Sequence, residues 1–326
     1  MVVGVDGGGS KTHCAVCDTS GELLGFGRSG ASNWETVGLE GSRAALAGAL
    51  DAALGHAPIS AKQIEAAVFG LGGVDWPSDL GRLEPIIETL QLGGQHLILN
   101  DAFIALRAGT DDAAGVVIVA GSGTTVAGRN RHGETYRTLG QGGPRFDDFG
   151  SAPDVAERAV QAVARAFTGR GPETVLSARL CDLTGAASVA ALLEGLTRDS
   201  IAVPETAAIV LAEAEAGDVA AREIVLDAGR ALGGSAAVAI GRLNLEAETF
   251  DVVLAGGLFR GLTETLWSAI YEPVRSLAPG ATLVRLEAPP VVGACLLGIE
   301  QIGEIVDPET AHRLAEACSA EAGISI

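Results

Sequence analysis

Two segments of the sequence carry the same order of signals, and this repeat limits the possible folds more than any other feature. Residues 2–28 and residues 116–139 each contain a buried strand, a loop of glycine and hydroxyl residues, a second strand, and a turn that leads into a third. A repeated order of this kind indicates a duplicated supersecondary unit. We therefore predict two similar α/β domains, each with a glycine loop at its first turn.

The spacing of apolar residues extends both domains. The predicted elements are, in chain order, a helix at 39–54, a strand at 66–73, a helix at 78–90, a strand at 96–101, a helical insert at about 152–245, strands within 250–261 and 281–286, and helices at 290–303 and 308–321. We expect a first domain at 1–112 and a second at 113–326. The last helix is expected to pack back on the first domain.

The charge balance narrows the partners of the chain. Its 326 residues include 41 acids and 22 bases, which gives a formal net charge of −19. Broad attraction to nucleic acid or to an anionic membrane is therefore not expected. A bound anion has to be held locally by backbone amides, a metal ion or a few placed cations. The start of the chain lacks a basic and apolar leader, and we expect a cytoplasmic enzyme.

The cysteines predict packing rather than chemistry. The five cysteines are an odd number, and a cytosolic chain of this length needs no disulfide framework. Cys14 and Cys17 form a C-x-x-C pattern, but they lie on a predicted strand, where residues three apart point to opposite faces. We interpret both thiols as small apolar filling, with a metal or redox role as the alternative.

Three glycine segments favour nucleotide binding. GVDGGGSKT at 4–12 follows an apolar strand, and its glycines allow backbone amides to approach a phosphate. Alone it is a moderate signal, with a tight hairpin turn as the alternative, because it has neither P-loop nor Rossmann spacing. AGSGTT at 120–125 provides a second such turn, and LAGGLF at 254–259 offers a surface of small residues for a purine.

Together, these segments resemble the phosphate and adenosine signatures of the actin and sugar kinase superfamily. In finer detail, GVDGGGSKT, SNW, the pair ND at 100–101, GSGT and GPRFDDFGSA, in this order, are similar to the BadF/BadG/BcrA/BcrD ATPase family and, within it, to N-acetylglucosamine and glucosamine kinases. The resemblance covers essentially the whole chain. It implies two ribonuclease-H-like, actin-like ATPase domains with an interdomain cleft, in which ATP, Mg²⁺ and a sugar meet. Relatives of this type are often homodimers, and we expect the same here.

The resemblance also implies roles for individual residues. Asp6 would organise Mg²⁺ through water. The residues that would bind the nucleotide are Gly7, Gly8, Gly9, Ser10 and Lys11 in the first domain, Ser122, Gly123 and Thr124 in the second, and Gly256 and Gly257 beside adenosine.

Asp101 matches the catalytic carboxylate of the family. A sugar hydroxyl needs a base to accept its proton, and the end of a strand in an α/β sheet is where ligands bind. A helix cap is the alternative role for Asp101. Asn33 and Asp148 match residues that bind sugar hydroxyls, with a plain loop residue and a helix cap as their respective alternatives.

One departure from the family pattern concerns the acetyl group. The kinases have a tryptophan where this chain has Gly142, and a glutamate where it has Phe149. N-acetyl specificity is therefore open from the sequence. We predict an amino-sugar kinase of glucosamine or N-acetylglucosamine type. The alternatives are an ATPase activator that carries a shared iron-sulfur cluster, and a ligand sensor without phosphoryl transfer.

Overall fold

The computed structural model describes residues 1–111, 114–140, 149–202 and 206–324. The chain divides into two compact units. Unit 1 comprises residues 1–117, 127–135 and 284–326, and unit 2 comprises residues 118–126 and 136–283. Residues 284–326, which the sequence prediction assigned to the second domain, thus pack within unit 1.

Unit 1 contains a five-stranded sheet with helices on both faces. Its strands are β1 (Val2–Gly7), β2 (Thr12–Cys17), β3 (Leu23–Ser29), β4 (Ala66–Leu71) and β5 (Gln95–Asn100). Its helices are α1 (Trp34–His56), α2 (Pro77–Glu88), α3 (Asp101–Ala108), α10 (Val291–Gln301) and α11 (Pro308–Ala322). The strand order is β3-β2-β1-β4-β5.

The register of this sheet places three loops at one edge. β1 is antiparallel to β2 and parallel to β4, which in turn is parallel to β5. Gly7 pairs with Leu71, and Leu71 pairs with Asn100, so the last residues of β1, β4 and β5 form one row. Because parallel strands end on the same side, the glycine loop after β1, the loop after β4 and the start of α3 all begin at this edge.

The two faces of the sheet are covered by different helices. Val5, Cys14 and Phe69 belong to one apolar cluster together with residues of α1 and α2. Val2 and Cys17 belong to another cluster together with residues of α10 and α11. Cys14 and Cys17 thus lie on opposite faces, as their spacing predicted.

Helices α3 and α10 approach each other closely. A Cβ atom at Gly293 of α10 would collide with the carbonyl oxygen of Ile104 in α3, so only glycine permits this approach. Arg107 of α3 is 2% exposed. Its Nε donates to Glu300 of α10 at 2.8 Å, and its Nη1 donates to the carbonyl oxygen of Thr110 at 2.7 Å. A buried guanidinium thereby joins the ends of the two helices.

The second sheet contains β6 (Gly115–Ala120), β7 (Thr124–Arg129), β8 (Thr135–Arg137), β9 (Phe250–Ala255) and β10 (Ala281–Arg285). Its order, β10-β9-β6-β7-β8, repeats the order of the first sheet when it is read from the other side. The duplication predicted from the sequence is therefore confirmed. The remaining helices are α4 (Ala152–Phe167), α5 (Leu176–Thr184), α6 (Val189–Thr197), α7 (Ala207–Glu215), α8 (Val219–Arg242) and α9 (Glu264–Leu277).

Helix α8 is long and apolar enough to cross a membrane by length and composition alone. Half of its most apolar window is buried inside the protein. Ala221, Leu232 and Ala236 of this helix are fully buried. Burial of this kind is what a core helix of a globular protein shows, so the match to a membrane span is weak evidence.

Candidate active site

The glycine loop after β1 is joined to the start of α1 by backbone hydrogen bonds. The amide of Gly8 donates to the carbonyl oxygen of Lys11 at 3.0 Å and closes the turn. The carbonyl oxygen of Gly8 accepts from the amides of Ser32 at 3.0 Å and Asn33 at 3.2 Å. Apart from Gly9 and its two neighbours in the chain, no atom of the described residues lies within 4 Å of the position that a Cβ would take at Gly9. The tip of the loop, which includes Ser10, is thus exposed, and its base is fixed.

Asn33 has a structural role as the N-cap of α1. Its Oδ1 accepts from the amide of Glu35 at 2.9 Å. The sequence prediction began this helix at residue 39, because Gly38 interrupts the helical spacing with φ of 71°. Trp34, the first residue of α1, donates from its indole Nε1 to the carbonyl oxygen of Gly73 at 2.7 Å. Asn33 and Trp34 are therefore held against the loop that follows β4.

Asp101 is the first residue of α3, and the cap is its neighbour. Asn100 accepts from the amide of Ala102 through Oδ1 at 3.1 Å. Its Nδ2 donates to Oδ1 of Asp75 at 3.1 Å and to the carbonyl oxygen of Val74 at 3.3 Å. The alternative role of Asp101 as helix cap is therefore wrong. Its partly buried carboxylate stands at the edge where β5 ends.

Gly72 is the point at which these groups meet, and the sequence analysis did not single it out. A Cβ at Gly72 would lie 3.4 Å from Oδ2 of Asp101, 3.6 Å from Nδ2 of Asn33 and 3.6 Å from the carbonyl oxygen of Gly7. The structure thus brings the predicted base and the predicted sugar ligand to one place beside the glycine loop. The run GLGG at the end of β4 was the available signal, since small residues there leave room for a ligand.

Asp6 lies at the same edge and carries an altered acidity. Loss of water around its carboxyl group raises its pKa to about 7, and the negative charge of Asp101 adds to this rise, while Lys11 opposes it. Desolvation and a like charge both favour the neutral form of an acid. A nearby cation would reverse the balance and hold both carboxylates ionised.

We expect this raised pKa to make the metal-free protein less stable as the pH rises. Between about pH 4 and pH 7 the folded chain retains a proton at Asp6 that the unfolded chain has lost, so the stabilisation is complete below this window and is lost through it. Between about pH 5 and pH 8, the unfolding free energy of the unaltered protein should fall by about 2 kcal/mol more than that of Asp6→Asn. Urea unfolding in EDTA measures this, with Asp51→Asn as control. Equal slopes for Asp6→Asn and the unaltered protein would contradict it.

The other glycine loops lie together in unit 2. The amide of Gly121 donates to the carbonyl oxygen of Gly123 at 2.9 Å, and a Cβ at Gly121 would lie 3.7 Å from the amide nitrogen of Gly257. Gly256 has φ of 108°, and a side chain there would collide with the carbonyl oxygen of Ala120. The loops after β6 and β9 are therefore neighbours. The hydroxyl of Thr124 is buried and has no hydrogen-bond partner among the described residues.

The predicted site residues fall into two sets. Asp6, Gly7, Gly8, Gly9, Ser10, Lys11, Asn33 and Asp101 belong to unit 1, and Ser122, Gly123, Thr124, Gly256 and Gly257 belong to unit 2. Asp148 and Gly142 lie outside the described residues. Phe149 is described, and the guanidinium carbon of Arg158 lies 4.7 Å from the centre of its ring. The N-cap of α4 is Ser151, whose hydroxyl accepts from the amide of Asp154.

Four of the five cysteines are buried, and Cys181 on α5 is partly exposed. Cys14, Cys17, Cys295 and Cys318 are buried. Burial raises the pKa of the Cys14 and Cys318 thiols well above the usual value. Over the ranges that the structure describes, no group of three histidine, cysteine or acidic side chains could hold a metal ion. An iron-sulfur cluster carried by exposed cysteines, as an ATPase activator needs, has no support in these positions.

The sequence model of the BadF/BadG/BcrA/BcrD ATPase family matches residues 3–298. The chain belongs to this family. That result confirms the resemblance seen in the order of the sequence motifs.

Two curated proteins resemble this chain over most of its length. This chain is 28% identical over 264 residues to the N-acetylmuramic acid/N-acetylglucosamine kinase of Clostridium acetobutylicum. The alignment covers 80% of this chain and 86% of the relative. This chain is also 27% identical over 315 residues to the N-acetyl-D-glucosamine kinase of Dictyostelium discoideum. That alignment covers 92% of this chain and 98% of the relative.

Two solved structures share the fold. A candidate N-acetylglucosamine kinase from Chromobacterium violaceum superposes with a TM-score of 0.68 at 24% identity, covering 91% of this chain and 98% of the other. A ROK family glucokinase from Streptomyces griseus, solved with glucose and AMPPNP, superposes with a TM-score of 0.59 at 19% identity, covering 92% and 99%. The predicted actin-like ATPase fold is confirmed.

Proposed function

We propose that this protein is an ATP-dependent kinase that transfers the γ-phosphoryl group to a hydroxyl of an amino sugar of the glucosamine or N-acetylglucosamine type. The observation that carries the proposal is the meeting of Asp101 and Asn33 at Gly72, beside the carbonyl oxygen of Gly7. A carboxylate and an amide at one point are suited to bind and deprotonate a sugar hydroxyl. The names of the two curated relatives support the same reaction.

Each unit has glycine loops whose backbone amides are suited to bind part of a nucleotide. Glycines with open space where a Cβ would stand, Gly9, Gly123 and Gly257, let a phosphate or a purine come close to the main chain. Lys11 would add a positive charge beside the phosphates. Asp6 would help to bind Mg²⁺ through a water molecule, since magnesium in such sites keeps several water ligands and is held largely by phosphates.

Asp101 would act as the general base. The hydroxyl oxygen of the sugar forms a bond to the γ-phosphorus while its proton passes to the carboxylate of Asp101. The bond from the γ-phosphorus to the bridging oxygen breaks, and ADP leaves. Bound ATP would supply the phosphoryl group, and Mg²⁺, held in part through Asp6, would neutralise part of the phosphate charge. The exclusion of water from the site would prevent wasteful hydrolysis.

The N-acetyl group falls within the proposed substrate range. The sequence departs from the kinase pattern at Gly142 and Phe149, but both curated relatives are named for N-acetylated sugars. We accordingly propose that the acetyl group is tolerated. We also propose that the protein acts in the cytoplasm. We further propose that it is a homodimer, and light scattering coupled to size-exclusion chromatography would test this oligomeric state.

The decisive experiment is coupled ADP release with a panel of sugars. The panel contains glucosamine, N-acetylglucosamine, glucose and N-acetylmuramate, each with Mg²⁺ and ATP. At least one amino sugar should accelerate ADP release well above the rate without sugar. If no sugar does so, the kinase proposal is wrong.

The buried hydroxyl of Thr124 gives a separate prediction for nucleotide binding. Because this hydroxyl has no partner within the described structure, Thr124→Val should leave the stability of the ligand-free protein unchanged or slightly higher. If the hydroxyl bonds a phosphate, the same change should raise KM for ATP by about tenfold. Thr125→Val, one residue along, is the matched control. An unchanged KM for ATP in Thr124→Val would remove Thr124 from the nucleotide site.

A further inference from the structure

One arginine beside Asn33 is oriented by an aromatic ring rather than by an acid. The guanidinium carbon of Arg82, on α2, lies 4.8 Å from the centre of the Trp34 ring. The indole is itself fixed, because its Nε1 donates to the carbonyl oxygen of Gly73. Within the described ranges, no carboxylate lies at ion-pair distance from Arg82. The side chain is exposed, so its N–H donors are available to a ligand.

Arg28 and Arg158 also lie over aromatic rings, so what distinguishes Arg82 is its position beside Trp34 and Asn33. The protein has 41 acids and 22 bases. Three other arginines of unit 1, Arg43, Arg107 and Arg313, each pair with a glutamate. Stacking on a ring restrains a guanidinium while leaving its fork of donors open, which suits two-point binding of a carboxylate.

The position of Arg82 places that fork on the sugar side of the site. Trp34 directly follows Asn33, and a Cβ at Gly73 would meet both Asn33 and Nε1 of Trp34. Trp76, the cap of α2, is 46% exposed and provides apolar surface on the same helix. The negative charges of Asp6 and Asp101 would repel an anionic sugar. Binding of such a sugar therefore requires a positive charge nearby, which Arg82 can supply.

We propose that Arg82 is the residue that binds the carboxylate of an acidic amino sugar, the kind of acceptor for which the Clostridium acetobutylicum relative is named. The proposal rests on the kinase function proposed above and adds a specificity-determining residue to it. N-acetylmuramate is a suitable probe, because its lactyl ether carries a carboxylate on a flexible arm. The apolar part of such a substituent would lie against Trp34 and Trp76.

The test compares one acidic sugar with its uncharged counterpart. Initial rates are measured with N-acetylmuramate, its methyl ester and N-acetylglucosamine, for the unaltered enzyme, Arg82→Gln and Arg82→Lys. Direct binding of the same sugars is measured by calorimetry without ATP. Arg43→Gln is the control, since Arg43 is an exposed arginine of the same unit that pairs with Glu40.

For the unaltered enzyme, both kcat/KM and binding affinity should be about tenfold higher with N-acetylmuramate than with its methyl ester. This difference is the effect expected of a charge-assisted hydrogen bond. Arg82→Gln should abolish this preference, and Arg82→Lys should restore part of it. The preference should also weaken as salt is added, because the proposed ion pair is exposed. Arg43→Gln should retain the full preference.

Two different failures are distinguishable. If N-acetylglucosamine is phosphorylated but the acid has no advantage over its ester, the role of Arg82 is overturned and the kinase function stands. If no sugar is phosphorylated but the acid binds with an affinity that depends on Arg82, the kinase function fails and the carboxylate site stands. An advantage of the acid that survives in Arg82→Gln also overturns the proposal.

Discussion

Asp101→Asn should lower kcat for sugar phosphorylation by about 10³-fold, because an amide cannot accept the proton of the acceptor hydroxyl. KM for the sugar should change by only a few-fold, since asparagine keeps the size of the side chain and a hydrogen-bonding oxygen. The start of α3 should remain formed, because its cap is Asn100 rather than Asp101. Steady-state ADP release with the best sugar of the panel measures both constants.

The control for Asp101 is Asp51→Asn, which removes an exposed acid on α1 and should have no effect. Circular dichroism and the urea midpoint show whether each variant is folded. A folded Asp101→Asn enzyme that retains more than about a tenth of the original kcat would contradict the assignment of the base. A loss confined to KM would instead indicate that Asp101 only binds the sugar.

Arg107→Ala should lower the free energy of unfolding by about 2–3 kcal/mol, less than for a fully buried ion pair, because Glu300 is 34% exposed and water can reach its charge. The change leaves Glu300 and the carbonyl oxygen of Thr110 without the guanidinium that now bonds to both. It also opens a cavity between α3 and α10. Urea unfolding followed by fluorescence and circular dichroism would measure the loss.

The ion pair of Arg43 with Glu40 is the matched control for Arg107, because it lies on the surface of the same unit. Arg43→Ala should cost less than about 1 kcal/mol. The double variant Arg107→Met, Glu300→Gln should recover much of the loss, since it fills the space and removes the unpaired charge. A loss below about 1 kcal/mol for Arg107→Ala would show that the buried pair contributes little to stability.

Most of the fold could be predicted because its signals are local. Short apolar runs marked the strands, and glycine and polar loops marked their ends, so the repeated strand order followed from two short segments. The start of α1 was missed, since Gly38 breaks the periodicity while Asn33 caps the helix before the break. Sequence periodicity cannot show that a helix continues through such a kink.

The candidate site could be predicted in part. Motif order indicated Asp101, Asn33 and the glycine loops as the residues of interest. Their meeting at Gly72 depends on the register of β1, β4 and β5, and the stacking of Arg82 on Trp34 depends on how α1 and α2 pack. Contacts of this kind join residues far apart in the chain, and no local pattern encodes them.

The alignment of Gly7, Leu71 and Asn100 in one row has a consequence for how specificity can evolve. The groups proposed for phosphoryl transfer are anchored to strand ends, whereas Arg82 and Trp76 belong to a peripheral helix. With the roles proposed for Arg82 and Asp101, substitutions on that helix would alter acceptor choice without displacing the base. This part of the selectivity would then lie on a different structural element from the reaction, and new substrates could arise through changes in that element alone.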